Sequence, residues 1–170
     1  MTAVVIAGVA TVSVWRVRAA RQPRPGDTVS LRDGRVTFRM PQGWRRVTCP
    51  DGTSGCVFLR TPRGADDAIA VFVVTPRPYA FGADVAAVDV VFANDPATSP
   101  GGRSFIVDGA PFARVRVDAV TTPPAQPATT VVTGHLHNGD TVSITCTETA
   151  EPNLVRAGCE LVIGSLHIQQ

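Results

Sequence analysis

The feature that most constrains the fold is a pair of cysteines that periodicity places on facing surfaces of two neighbouring elements. Cys146 shares the apolar face of a predicted strand over residues 140–147 with Ile144, because apolar and polar residues alternate there. Cys159 lies on the apolar stripe of a predicted helix over residues 152–166, which has proline in its first turn. Both sulfur atoms then point into the same core, so a disulfide between them would clamp the helix onto the sheet.

Two further cysteines, Cys49 and Cys56, complete a set of four, for which three pairings are possible. Neither closely spaced pair has the C-x-x-C spacing of a zinc or thioredoxin-like site, so disulfides are favoured over a metal site or buried free thiols. A bond between Cys49 and Cys56 would close a hairpin around residues 51–55, and nothing in the sequence brings either cysteine to the later elements. The even count and an apolar leading segment indicate an oxidising compartment.

The N-terminal residues 3–15 form an unbroken run of small and apolar residues. As a helix the run spans roughly 20 Å, short of a hydrocarbon core of about 30 Å. A cleaved signal peptide requires a basic region before the run, which is missing, and a complete signal anchor is normally longer. We therefore expect residues 1–20 to be a transmembrane or signal-anchor segment that lacks its first residues. Proline and glycine mark residues 21–28 as a linker, followed by one domain over residues 29–170.

The orientation of this segment follows from two conflicting signals. Four arginines follow the apolar run, and the positive-inside rule would then place the domain in the cytoplasm. The cysteines favour the opposite side. We give the cysteines more weight and expect a single-pass cell-membrane protein with an extracytoplasmic C-terminal domain. The four arginines are Arg16, Arg18, Arg21 and Arg24.

The domain itself reads as strands interrupted by two helical patterns. Residues 35–40 alternate like a half-buried antiparallel strand, and residues 68–75 are apolar and β-branched like a central strand. Residues 82–94 carry apolar positions at helical spacing, as do residues 152–166. The predicted fold class is α+β, an antiparallel β-sheet with two helices packed on it, preceded by a short N-terminal apolar helix.

One hairpin allows its register to be predicted. Residues 129–137 and 140–147 flank Asn138-Gly139, a strong turn signal. A two-residue loop would place His135 and His137 on the apolar face of the second strand. A three-residue loop with Gly139 in the left-handed conformation turns both histidines outward instead. The second register buries the apolar residues, so it is the one we expect.

No constellation of reactive side chains stands out. His135, His137 and Asp140 form one compact polar cluster with metal-ligand potential, but no further ligand accompanies them, and a solvated hairpin tip is favoured. Asp66-Asp67 reads as a solvated charge cluster, and residues 99–103 lack the lysine and spacing of a phosphate loop. There is no G-x-S-x-G motif beside a histidine. We predict no catalytic residue, no metal and no cofactor.

The charge pattern excludes another class of function. The net charge is only +2, all 16 basic residues are arginine, and the domain has no basic stripe with interleaved aromatic residues. Binding to nucleic acid is therefore not expected.

Three stretches carry a family resemblance. Residues 34–44, ending in Pro-Gln-Gly-Trp, residues 139–146, and the Ala-Gly-Cys sequence at residues 157–159 resemble PsbP-like domains of actinobacterial cell-envelope proteins. They are most similar to the C-terminal domain of the type VII secretion-associated protein family, in which the Cys49 and Cys56 pair is an addition. The resemblance implies a PsbP-like fold and a non-enzymatic accessory role with a protein partner at the envelope. A small-ligand or lipid-binding domain is the alternative, and a metal-dependent enzyme using His135 and His137 is a third hypothesis.

Overall fold

The computed structural model describes residues 23–49, 55–66, 68–75, 102–122 and 125–169. These residues form two antiparallel sheets and one helix. The smaller sheet has the order β1-β2-β10 and the larger sheet the order β3-β4-β5-β9-β8-β7-β6. The elements are β1 (Pro25–Leu31), β2 (Val36–Pro41), β3 (Arg45–Thr48), β4 (Cys56–Arg60), β5 (Ile69–Val74), β6 (Arg103–Val107), β7 (Ala110–Val117), β8 (Ala128–His135), β9 (Thr141–Glu148), α1 (Pro152–Gly164) and β10 (His167–Ile168).

The expected fold class, an antiparallel sheet carrying two helices, is wrong. Strand β2 belongs to a separate three-stranded sheet, and α1 is the one helix among the described residues. The other helix expected in the domain, over residues 82–94, lies outside the described residues. The N-terminal segment 1–20 also lies outside them. Strand β1 begins at Pro25, inside the stretch that the sequence indicated as a linker, and it pairs with β2 along its length.

The split into two sheets has a local cause. Gly43 adopts a φ of +80°, a left-handed conformation that glycine tolerates, and the N–H of Trp44 donates to the carbonyl of Pro41. The chain therefore turns between β2 and β3, so the two strands enter different sheets.

The end of α1 explains the third strand of the smaller sheet. The helix ends at Gly164, and the Ser165 hydroxyl donates to the carbonyl of Leu161 at 2.7 Å. The same hydroxyl accepts a bond from the N–H of Arg39 on β2, at 2.9 Å. The chain thus leaves the helix directly beside β2, where β10 pairs with it.

The predicted register of the β8–β9 hairpin is confirmed. Gly134 lies opposite Val142 and His135 opposite Thr141. Gly139 has a φ of +85°, and its N–H donates to the carbonyl of Leu136, closing a three-residue loop. This register places Val132, Val142, Ile144 and Cys146 on the face of the larger sheet that adjoins the apolar core.

One continuous apolar core joins the smaller sheet, α1 and one face of the larger sheet. Helix α1 packs against β2 and against β9. Its buried residues are Val155, Gly158, Cys159 and Val162, and the helical periodicity predicted all of them except Gly158. On β5, Ile69, Val71 and Val73 point into this core, whereas the alternating residues are only half-buried.

Candidate interaction surface

The structure separates the members of the predicted polar cluster at the β8–β9 turn by their burial. The side chains of His135 and His137 are exposed, and Nδ1 of His135 lies 3.1 Å from the hydroxyl of Thr141. Asp140 is instead buried, with 2% of its surface exposed. Among the residues that the structure describes, no group of three or more histidine, cysteine, aspartate or glutamate side chains is arranged to hold a metal.

Asp140 holds parts of the fold together. Its carboxylate accepts hydrogen bonds from Asn138 at 2.9 Å and from Arg35 at 3.4 Å. Burial is the largest single influence and raises the pKa of Asp140, but the pKa is lowered overall, with hydrogen bonds from Thr75 and Asn138 as the main opposing causes. The charges of Arg35 and Arg32 contribute to the same lowering of the pKa. The group therefore stays ionised and ties the β8–β9 turn to the β1–β2 turn.

The structure describes only some of the remaining polar candidates. Arg63 and Asp66 are exposed on the loop after β4, as expected of a solvated cluster. Asp67 and residues 99–101 lie outside the described residues.

Both expected disulfides are present. Cys146 on β9 is bonded to Cys159 on α1 with a Cα–Cα distance of 6.1 Å, and Cys49 is bonded to Cys56 with a Cα–Cα distance of 5.9 Å. Bonds of this kind form and persist in oxidising compartments outside the cytoplasm.

A network of charges links α1 to β7 and to the end of β9, on the helix side of the larger sheet. Glu148, at the end of β9, is buried and pairs with Arg116 of β7 and with Arg156 of α1. Arg114 of β7 makes a two-pronged contact with Glu160 of α1. These pairs join the helix to β7 across the sheet, so their role is structural.

The pKa of Glu148 is held far below its ordinary range. The hydrogen bond from Arg116 is the largest influence and the one from Arg156 adds to it, so that the pKa falls from 4.5 to about 2 against the opposing effect of burial. Since the folded-state pKa is depressed, the resulting stability is present above about pH 4.5 and is lost as the pH falls toward 2.

We expect Glu148→Gln to lower the free energy of unfolding by about 2–3 kcal/mol at pH 7, after allowing for the partial exposure of both arginines. The difference from the unaltered protein should shrink steadily between about pH 5 and pH 2, because the carboxylate is protonated there. Urea unfolding at several pH values measures it. A difference that stays constant down to pH 2 would show that Glu148 contributes through packing and not through its charge.

The two ends of the larger sheet expose edge strands of different character. On β3, Arg45 and Arg46 are both exposed, and charged residues protect an edge against pairing with other strands. On β6, Arg103 is the one charged residue, and Ile106 exposes 67% of its surface. Ile106 is the most exposed large hydrophobic residue in the described part of the chain.

The β6–β7 turn fixes which main-chain groups of β6 face outward. Asp108 and Gly109 have φ angles of +46° and +84°, as in the two-residue turn that matches the twist of paired strands. Val107 and Ala110 flank this turn and pair with each other. In a two-residue turn the flanking pair is hydrogen-bonded, and hydrogen-bonded and non-hydrogen-bonded pairs alternate along the strands from there. The main-chain groups of Ser104 and Ile106 therefore belong to non-hydrogen-bonded pairs and point away from β7.

Asp108-Gly109 is a hairpin signal in the sequence, but this signal does not reveal the surface that the hairpin creates. Nothing within residues 103–107 reveals whether their strand is an edge or a central one. The exposed Ile106 between two half-buried residues is the only local signal, and it becomes interpretable once the strand order is known.

Comparison of the sequence with protein-family models gives no match, and comparison with curated proteins gives none either. The fold is similar to the solution structure of cyanobacterial PsbP (CyanoP) from Synechocystis sp. PCC 6803. The TM-score is 0.55 at 16% sequence identity, over 84% of this chain and 92% of that one. A crystal structure from Bacteroides thetaiotaomicron VPI-5482 matches with a TM-score of 0.47 and 12% identity, over 86% of this chain and 50% of that one. The first similarity establishes a PsbP-like fold.

Membrane attachment is a separate matter from the fold. Helix α1 does not have the length and hydropathy needed to cross a bilayer, and the described ranges contain no other helix.

Proposed function

We propose that this chain is a non-enzymatic, membrane-anchored accessory protein of the cell envelope that acts by binding another protein, in association with type VII secretion. The observation that carries the proposal is a PsbP-like fold closed by two disulfides. The disulfides support a location outside the cytoplasm. The apolar run at residues 3–15 supports attachment to the membrane, and the sequence motifs described above support the link to secretion.

The way the polar side chains are used supports a binding role over catalysis. The buried carboxylates of Asp140 and Glu148 are each occupied by hydrogen bonds and ion pairs that join elements of the fold. A general acid or base needs a pKa near the working pH, whereas the pKa of each of these groups is lowered.

The test is co-purification from membranes of the source cells. The full chain, carrying a C-terminal tag, is crosslinked in intact cells and isolated, and its partners are identified by mass spectrometry. Recovery of secretion membrane components supports the proposal. Recovery of the chain without any envelope partner contradicts it.

A small-ligand-binding role is the second candidate, favoured by one specific observation. The hydroxyl groups of Thr133, Ser143 and Thr145 are buried without a hydrogen-bond partner, within the ranges that the structure describes. All three lie on the face of the larger sheet opposite α1, where their strands are adjacent. Buried hydroxyls are normally satisfied by protein, water or ligand. Native mass spectrometry of the purified protein tests this role, because a retained small molecule would be seen as added mass that Ser143→Ala releases.

A further inference from the structure

We propose that β6 binds an extended segment of the partner protein as an added antiparallel strand, with an acidic residue of that segment facing Arg103. The inference rests on the proposed function, since it requires a protein partner. It specifies the surface used and the chemistry of the segment that binds there.

The main chain of β6 is ready for such pairing. Strand β6 is the last strand of its sheet, and β7 is its one neighbour in the described ranges. The N–H and C=O groups of Ser104 and Ile106 point away from β7, by the alternation that starts at Val107 and Ala110. Pro111 lies opposite Ile106 and has no N–H to donate, which fits a position that makes no bond to β6.

The positive charge of Arg103 on β6 favours a segment with an acidic residue. Arg103 lies directly opposite Arg114, and like charges at such positions repel. Arg114 is neutralised by Glu160, whereas no carboxylate pairs with Arg103 among the described residues. An acidic side chain on an added strand, at the position facing Arg103, would remove this imbalance.

The exposed apolar residue sets the second feature of the segment. Ile106 projects on the face of the sheet opposite Arg103, because the two residues are separated by an odd number of positions. In an antiparallel strand, the residue facing Ile106 comes three positions before the residue facing Arg103. The segment therefore has an apolar residue followed, three positions later, by aspartate or glutamate.

A second copy of this chain fits the same edge poorly. If two β6 strands paired, residues whose main-chain groups point away from β7 would have to lie opposite each other. Ser104 and Ile106 of one copy would therefore face even-numbered residues of the other. Arg103 then faces an odd-numbered residue in every antiparallel register. The nearest acidic residue, Asp108, is even-numbered, so no such register places it opposite Arg103.

The experiment uses the purified, disulfide-bonded protein and the capped peptide Thr-Val-Val-Thr-Glu-Thr, titrated at millimolar concentration and followed by NMR. In this peptide, the first Val faces Ile106 and the Glu faces Arg103. We expect saturable shifts centred on β6, with slower solvent exchange at the N–H groups of Ser104 and Ile106. Absence of saturation, or shifts centred elsewhere, would overturn the proposal.

Two substitutions separate charge from main-chain pairing. Arg103→Glu should weaken binding of the peptide about five- to tenfold. A second peptide, with lysine in place of glutamate, should bind the Arg103→Glu variant more tightly than it binds the original protein. Ser104→Pro removes an outward N–H without removing a bond to β7, so it should abolish binding while the fold, checked by circular dichroism, is retained. Arg46→Glu on β3 is the matched control and should leave binding unchanged. Equal binding by all three variants would overturn the proposal.

Two further outcomes are distinguishable. Self-association in analytical ultracentrifugation, with the same two N–H groups protected without peptide, would replace the partner strand by a second copy and overturn the proposal. If the cellular crosslinking recovers secretion components equally with the original chain and with Ser104→Pro, the proposed function stands and the use of β6 fails. If the cellular crosslinking recovers no secretion component with either the original chain or Ser104→Pro, the proposed function fails.

Discussion

Replacing Cys146 and Cys159 together with alanine is expected to lower the free energy of unfolding by about 3–4 kcal/mol. The bond closes a loop with a sequence separation of 13, which in the chain-entropy model contributes about 3 kcal/mol. Both cysteines are also almost fully buried, at 1% and 2% exposure, so the lost sulfur atoms leave a small cavity. Urea denaturation of the double variant measures the effect, and replacing both cysteines avoids a reactive free thiol.

The matched control is the corresponding double variant of Cys49 and Cys56. Its loop has a sequence separation of 7, and Cys56 is only partly buried, so a loss of about 2 kcal/mol is expected. Amide exchange separates the two variants further, because only the loss of the Cys146–Cys159 bond should release α1 from β9. Equal exchange in α1 for both variants would contradict the role assigned to this bond.

The sequence allowed the β8–β9 hairpin and the placement of α1 to be predicted because apolar and polar residues follow a regular period there. Val142, Ile144 and Cys146 alternate with hydroxyl-bearing residues, so a shift of one position would turn the whole apolar set away from α1. The position of Cys159 on the helical stripe then left one geometrically sensible partner for Cys146. Both elements are described by local rules that need no knowledge of the rest of the fold.

The smaller sheet could not be predicted in the same way. Strand β1 begins with Pro25-Gly26, a pair typical of turns, and is held by its pairing with β2. Strand β10 has two residues, too few to carry any periodic signal. These strands exist because partners distant in sequence supply their hydrogen bonds.

The candidate surface on β6 was missed for a related reason. The edge position of β6 follows from the strand order of the larger sheet. In that sheet β9 lies between β5 and β8, and β7 and then β6 follow β8 outward. Strand order depends on long-range pairing, which alternation within one strand does not encode. That Arg103 lacks a carboxylate partner within the described ranges becomes visible only when Arg114 and Glu160 are seen to pair.

Two of the stretches that carry the family resemblance meet in space. Trp44, which follows the turn after β2, packs on Gly158 of α1, beside the disulfide cysteine. A Cβ atom on Gly158 would lie 2.7 Å from two carbons of the Trp44 ring and 3.3 Å from Cγ of Pro41. The glycine thus allows α1 to approach the smaller sheet closely enough for Cys159 to reach β9.

Gly158→Leu should therefore lower the free energy of unfolding by about 2–3 kcal/mol, even though leucine favours a helix by close to 1 kcal/mol over glycine. Trp44 is 5% exposed in a closely packed core, so we expect the helix to shift. Gly164→Leu, in the last turn of the same helix, is the matched control, since a Cβ there meets nothing within 4 Å. It should be neutral or slightly stabilising. Chemical denaturation followed by tryptophan fluorescence measures both variants, and equal stability of the two would show that the contact between Trp44 and Gly158 does not limit how closely the helix packs.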